Sequence, residues 1–187
     1  ILVSDIGVHH NWLLGFCKPR RPDSLIGSMG FGPMGFGVAG VMGAKFAAPD
    51  RPCVSVCGDG AFFMHANVLG TAVEYNLPVV WVVWNNYAYA SIRGLQRGYL
   101  GGRELATDFH DPTTGQRYNP DFAAMARSCG VEGVRVDRAG DLGEALDDET
   151  VRHHACEPHS AVDDPTDELH RHHCRDGHET GRGQPSG

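Results

Sequence analysis

Apolar residues fall along this chain in two kinds of run that alternate. Short runs rich in β-branched residues, at 1–6, 24–28, 52–57, 78–84 and 131–136, are too short for helices and read as strands. Between them, 36–48 is small and apolar. Val38, Ala39, Val41, Met42, Ala44, Phe46 and Ala47 line it, Gly40 and Gly43 permit close packing, and the Pro49-Asp-Arg-Pro52 turn closes it, which predicts a helix buried under a sheet. Residues 61–75 wind as a helix with Phe62, Leu69 and Val73 towards one side. A further helix starts at 87–93, and 94–115 is Gly- and Arg-rich without clear periodicity. Asp121 caps a helix that ends at Gly130, and Asp141 opens another through Leu146. Strand alternating with helix predicts an α/β domain on a doubly wound parallel sheet.

The pattern stops after Leu146. All three Trp, all eight Phe and all five Tyr lie at or before Phe122, whereas residues 147–187 hold seven of the eleven His and ten acidic against four basic side chains. The formal charge of -7 therefore belongs almost entirely to this segment. A near-neutral body points to neither nucleic acid nor a membrane surface. So little apolar surface cannot offset the entropy of ordering, and 147–187 is expected to be disordered. The domain at 1–146 is expected to be truncated, without a last strand. His153, His154, Cys156 and His159, then His170, His172, His173 and Cys174, also read as a metal-binding tract. The preferred account is a frame shift in GC-rich coding DNA, whose codons yield Arg, His, Pro, Gly, Asp and Ala. The chain opens on Ile1 rather than Met, already in a strand-like run, so it is expected to start in mid-protein. No run is apolar enough to span a bilayer, no secretory signal is visible and the six Cys form no Cys-x-x-Cys pair, so a cytoplasmic location is expected.

Chemistry concentrates where 52–84 forms strand, helix, strand. A right-handed crossover brings the carboxyl ends of both strands to one sheet edge, where open α/β folds bind ligands. The first strand runs into Gly58-Asp59-Gly60 and the second into Asn85-Asn86, with 24 residues between. A carboxylate and an amide oxygen are hard ligands suited to Mg²⁺, whose other positions phosphate and water would fill. Gly58 and Gly60 let a backbone approach a diphosphate. The alternative is an N-cap at Asp59 and a plain turn at Asn85-Asn86. A second motif, Gly30-x-Gly32-x-x-Gly35, spells the dinucleotide fingerprint. Pro33 removes an N–H that a phosphate turn needs, and Asp50 lies too near and in a turn, so a nicotinamide cofactor is not expected.

At this spacing and in this strand context, Gly58-Asp59-Gly60 with Asn85-Asn86 resembles the motif of thiamine diphosphate enzymes. The resemblance covers 1–146 and is strongest to the acetolactate synthase group of carboligases and decarboxylases. It implies that Asp59, Asn86 and the Ala88 carbonyl hold Mg²⁺, and that Gly58, Gly60 and Ala61 line the diphosphate. It places Gly7 and His9 on the cofactor phosphates, His9 being otherwise a polar loop residue. The Gly32 carbonyl and the Met34 N–H would face the aminopyrimidine, with the Met34 side chain wedged between the two rings; core packing is the other reading of Met34. Tyr89, Arg93 and Gln96 become candidates for the substrate side, or else ordinary surface polar groups. The chain departs from the synthases at Val68, where Glu is usual, and at Ala90, where Gly is usual.

The resemblance implies an enzyme that decarboxylates a 2-oxo acid and transfers the resulting acyl carbanion. The Glu that activates the cofactor belongs to a pyrimidine-binding domain absent from this chain, so the catalytic residue is unknown and the chain alone is expected to be inactive. The expected partners are the 2-oxo acid and a pyrimidine-binding domain, in a homo-oligomeric parent; FAD in that parent stays open. A benzoylformate decarboxylase or aldehyde lyase is the alternative within the family. From another class, the alternative is a non-catalytic fragment or His-rich metal-binding protein.

Overall fold

The computed structural model describes residues 1–146 in full and the backbone of 154–158. Six strands form one sheet: β1 Leu2–Ser4, β2 Leu25–Gly27, β3 Val54–Gly58, β4 Val80–Trp84, β5 Glu132–Val136 and β6 His154–Pro158. Every pairing is parallel and the order is β2-β1-β3-β4-β6-β5. Seven helices connect them: α1 Val8–Phe16, α2 Phe36–Ala47, α3 Asp59–Met64, α4 Val68–Glu74, α5 Ala90–Tyr99, α6 Phe122–Ser128 and α7 Leu142–Ala145. The doubly wound parallel sheet is the fold that the alternating runs predict.

Both faces are covered, as a parallel sheet requires. On one, Val3, Cys57, Trp81 and Val83 pack with Val38 and Val41 of α2, Phe62 of α3, Leu69 of α4 and Phe122 of α6. On the other, Val56, Val80 and Val82 meet Leu13 of α1 and Leu146 after α7. The split follows the two-residue period of a strand, so β4 sends Trp81 and Val83 one way and Val80 and Val82 the other. Trp81 satisfies its indole N–H on the Val38 carbonyl at 2.9 Å.

Two expectations change. Residues 61–75 are two helices, broken at 65–67, and Val73 is 47% exposed while Phe62 and Leu69 are fully buried. Phe62 and Leu69 share one core cluster across the break, whereas Val73, one turn past Leu69 within α4, lies half-exposed near Gly130. The sheet also does not end with β5. His154–Pro158 fills the place between β4 and β5, with Trp81 opposite Ala155 and Val134 opposite Cys156. Strand pairing runs through backbone groups, so a segment without an apolar run can still occupy the slot. Residues 147–153 and 159–187, with the disorder, frame-shift and metal-tract readings that fall on them, lie outside the described residues. Among the described residues no helix is long and apolar enough to cross a membrane.

Candidate functional site

The register pairs Gly58 with Trp84, so β3 and β4 end side by side and Asp59 leaves the sheet next to Asn85. Asp59 is the first residue of α3 and is 2% exposed. Its Oδ1 accepts from the Gly60 N–H at 2.8 Å, its Oδ2 from Asn119 Nδ2 at 2.7 Å, and the Tyr87 and Ala88 N–H groups also donate to it. Burial pushes the Asp59 pKa up and these donors pull it back, so the anion is held by N–H groups with no cation among its partners.

After β4 the chain turns sharply, with Tyr87 in the left-handed region at φ 59°. The Asn86 side-chain oxygen accepts from the Ala88 N–H at 3.2 Å. The same backbone N–H is among the groups that favour the Asp59 anion, so the carboxylate and the Asn86 turn are neighbours. Ala88 pairs antiparallel with Asp108, through Tyr89 N–H to the Thr107 carbonyl at 2.9 Å and Phe109 N–H to the Tyr87 carbonyl at 2.8 Å. In such a non-hydrogen-bonded pair both the N–H and the C=O of Ala88 face away from the opposite strand. Asp59, Asn86 and Ala88 therefore lie at one place. Among the described residues there is no group of three or more His, Cys, Asp and Glu side chains that could hold a metal, and this cluster has only one carboxylate. Its donor set of carboxylate, amide and carbonyl oxygen suits Mg²⁺, a hard cation that keeps several positions for phosphate and water.

Gly60 is required by a neighbour. A Cβ there would stand 2.3 Å from Tyr89 Cε1, because the Tyr89 ring lies on it and packs edge-to-face on Phe109 at 4.7 Å. Ala61 is buried beside it. On the other flank, Gly7 caps α1 and His9 sits in its first turn, 7% exposed and against Gly58. The His9 ring hydrogen-bonds the Asp5 backbone, and its Nε2 is buried without a partner. Burial lowers the His9 pKa to about 4, against the pull of Asp5. A buried, unpartnered ring nitrogen beside a glycine is the kind of orphan that a bound ligand satisfies.

The Gly-x-Gly-x-x-Gly loop has a definite occupant. Asp5, directly after β1 and 1% exposed, accepts at Oδ1 from the N–H of Ile6 and Gly35 and at Oδ2 from those of Gly37 and Val38, at 2.7–3.3 Å. The N-terminus of α2, where a dinucleotide phosphate would bind, is filled by the chain's own carboxylate. The fit is tight: a Cβ on Gly37 would lie 2.5 Å from the Asp5 nitrogen. Gly32, at φ 61°, and half-buried Met34 belong to this anchored loop, and Met34 packs against the core beneath it.

The remaining candidates have partners within the chain. Arg93, 6% exposed, pairs with Asp108 at 3.1 Å. Gln96 donates to the Leu105 carbonyl at 3.1 Å and accepts from the Leu105 N–H at 3.0 Å and the Thr107 hydroxyl at 2.9 Å. Both side chains tie α5 to the segment that pairs with Ala88. Val68, at the position where Glu is usual, is buried in the core. A depression of ≈ 330 Å³ at the opposite sheet edge, lined by Ala72, Leu77, Trp81 and Val131 among others, contains none of the predicted site residues. Asn119 and Asp5 carry no mark in the sequence analysis. Asp5 stood at the end of a strand-like run, the position that singled out Asp59, and that was a usable signal; Asn119 had none.

Residues 5–156 match the family described as thiamine pyrophosphate enzyme, C-terminal TPP binding domain. The chain belongs to this family. Within it, the chain is similar to the acetolactate synthase large subunit of Parasynechococcus marenigrum, 38% identical over 154 residues, which are 80% of this chain and 24% of that protein. It is 34% identical over 146 residues to the probable acetolactate synthase large subunit of Methanococcus aeolicus, covering 78% of this chain and 23% of that one. To the acetolactate synthase isozyme 2 large subunit of Escherichia coli it is 32% identical over 147 residues, 79% of this chain and 26% of that one. The chain thus spans about a quarter of the length of these relatives.

Proposed function

We propose that this chain is the thiamine diphosphate- and Mg²⁺-binding part of an acetolactate synthase-like enzyme that decarboxylates a 2-oxo acid and transfers the acyl unit. The observation that carries the reading is that β3 and β4 end side by side, which brings the buried Asp59 carboxylate and the Asn85-Asn86 turn together under the Asn119 amide. Asp59, Asn86 and the Ala88 carbonyl would hold Mg²⁺, and the backbone of Gly58, Gly60 and Ala61 would line the diphosphate. The unpartnered Nε2 of His9 supports a second contact to the phosphates from α1. Gly32 and Met34, on the loop anchored by Asp5, would face the aminopyrimidine. When bound, thiamine diphosphate supplies the electron sink for cleaving a bond beside a 2-oxo group. The residues of this chain bind and orient it.

Activation needs a carboxylate from a pyrimidine-binding domain, so we expect the isolated chain to be inactive and the parent to be a cytoplasmic homo-oligomer. Tyr89, packed over Gly60, is the substrate-side candidate nearest the proposed metal ligands. Calorimetry tests the reading. Thiamine diphosphate with Mg²⁺ should bind, Zn²⁺ alone should not reproduce that binding, and Asp59→Ala should abolish it. Equal binding by Asp59→Ala would remove the proposal.

A further inference from the structure

We infer that Asn119 is a positioning residue that holds the Asp59 carboxylate in its metal-binding orientation, an inference that rests on the cofactor reading above. The Asn119 amide nitrogen lies 2.7 Å from Asp59 Oδ2 and 2.7 Å from Asn85 Oδ1, across 60 and 34 residues of sequence. An ionised carboxylate only accepts hydrogen bonds, so the amide group facing it is the NH₂, and its two hydrogens match the two acceptors. Asn119 therefore ties the turn after β3 to the turn after β4, the two segments that carry the proposed ligands.

Its own placement is over-determined. Pro120 follows it, and Asp121 caps α6 by accepting from the Ala124 N–H at 2.8 Å. The next residue, Phe122, packs edge-to-face on Phe62 of α3 at 5.5 Å, and α3 is the helix that begins with Asp59. The aromatic contact fixes α6 against α3, and the amide fixes what stands at the head of each. With Gly60 N–H on Oδ1 and Asn119 on Oδ2, the carboxylate is gripped at both oxygens. A ligand held this way meets an incoming cation without first losing rotamer freedom.

Partners that orient a metal ligand without touching the metal are worth about 10–100-fold in metal affinity. Mg²⁺ titrated by calorimetry into the chain at a fixed excess of thiamine diphosphate should bind Asn119→Ala that much more weakly. Tyr118→Ala, which removes an exposed neighbour, should bind like the unmodified chain, and the cofactor-free melting temperatures of all three should stay close. Unchanged Mg²⁺ affinity in Asn119→Ala overturns this inference and leaves the functional reading standing. No binding by the unmodified chain overturns both. If Asn119→Ala does not fold, the unmodified chain decides: the Asn119 side-chain amide signals in a ¹⁵N spectrum should shift when Mg²⁺ and thiamine diphosphate are added together. Their failure to move overturns the inference.

Discussion

Two neighbouring strands of this sheet each end in a buried aspartate, and the two carboxylates have opposite surroundings. Asp5, after β1, receives the backbone N–H groups of Ile6, Gly35, Gly37 and Val38, and so completes a helix N-terminus. Asp59, after β3, also collects N–H donors, but it shares the Asn119 amide with the Asn85 side-chain oxygen and stands beside the turn that carries Asn86. A carboxylate among donors alone is a structural anion. A carboxylate sharing its place with other oxygen acceptors can turn them together onto a cation. The same comparison accounts for the Gly-x-Gly-x-x-Gly motif: its Gly35 N–H and those of the α2 N-terminus after it serve Asp5 and are closed to a nucleotide phosphate.

The largest expected effect lies on the Asp5 side. Asp5→Ala would strand several buried N–H groups at the start of α2 and should cost roughly 3–5 kcal/mol in urea denaturation. Asp59→Ala should cost less, because burial already disfavours the Asp59 charge; the reverse order would break the comparison. Next comes pH. His9 is held neutral in the folded state, with a pKa of about 4 against 6.5 when free. Below pH 6.5 the unfolded chain takes up a proton that the folded chain refuses, so stability is full above 6.5 and falls as the pH drops towards 4. The integrated loss is roughly 3 kcal/mol. Urea midpoints of the unmodified chain and of His9→Gln across that window should converge towards acid; parallel curves would remove His9 as the cause.

Smaller effects sharpen the picture. Gly60→Ala drives a methyl into the Tyr89 ring and should cost about 1–3 kcal/mol, measured by thermal melting; Tyr89→Ala in the same chain should recover part of it. Asp121→Ala removes the α6 cap and should cost about 1 kcal/mol. Because Asp121 sits two residues from Asn119, the same variant should also weaken Mg²⁺ binding modestly, whereas a cap mutation that leaves Mg²⁺ affinity untouched would separate α6 from the metal turns.

The βαβ unit was readable because its message is local. Two apolar runs with a helix-length spacer force parallel strands, and parallel strands put Gly58-Asp59-Gly60 and Asn85-Asn86 at one edge whatever the rest of the chain does. The buried strand residues Trp81 and Val83 and the α2 residues Val38 and Val41 followed from the same pattern. The break at 65–67 was not readable, since the spacing of Phe62, Leu69 and Val73 fits one continuous helix, and neither was the exposure of Val73, which lies on the same helix as buried Leu69. β6 was not readable either, because a strand between two others is held by backbone pairing that leaves no apolar signature in His154–Pro158.

The sequence by itself determined the layered α/β architecture and the sheet edge at which Gly58-Asp59-Gly60 and Asn85-Asn86 end side by side, because each depends on periodicity or on residues joined by one crossover. Only the tertiary structure decided that Asp5 fills the glycine loop, that Arg93 and Gln96 spend their polar groups inside the chain, and that Asn119 reaches Asp59. Those contacts span 9 to 60 residues and hold by hydrogen bonds between single groups. A single donor has no repeat to betray it, and its partner is known only once the packed helices have brought the two together.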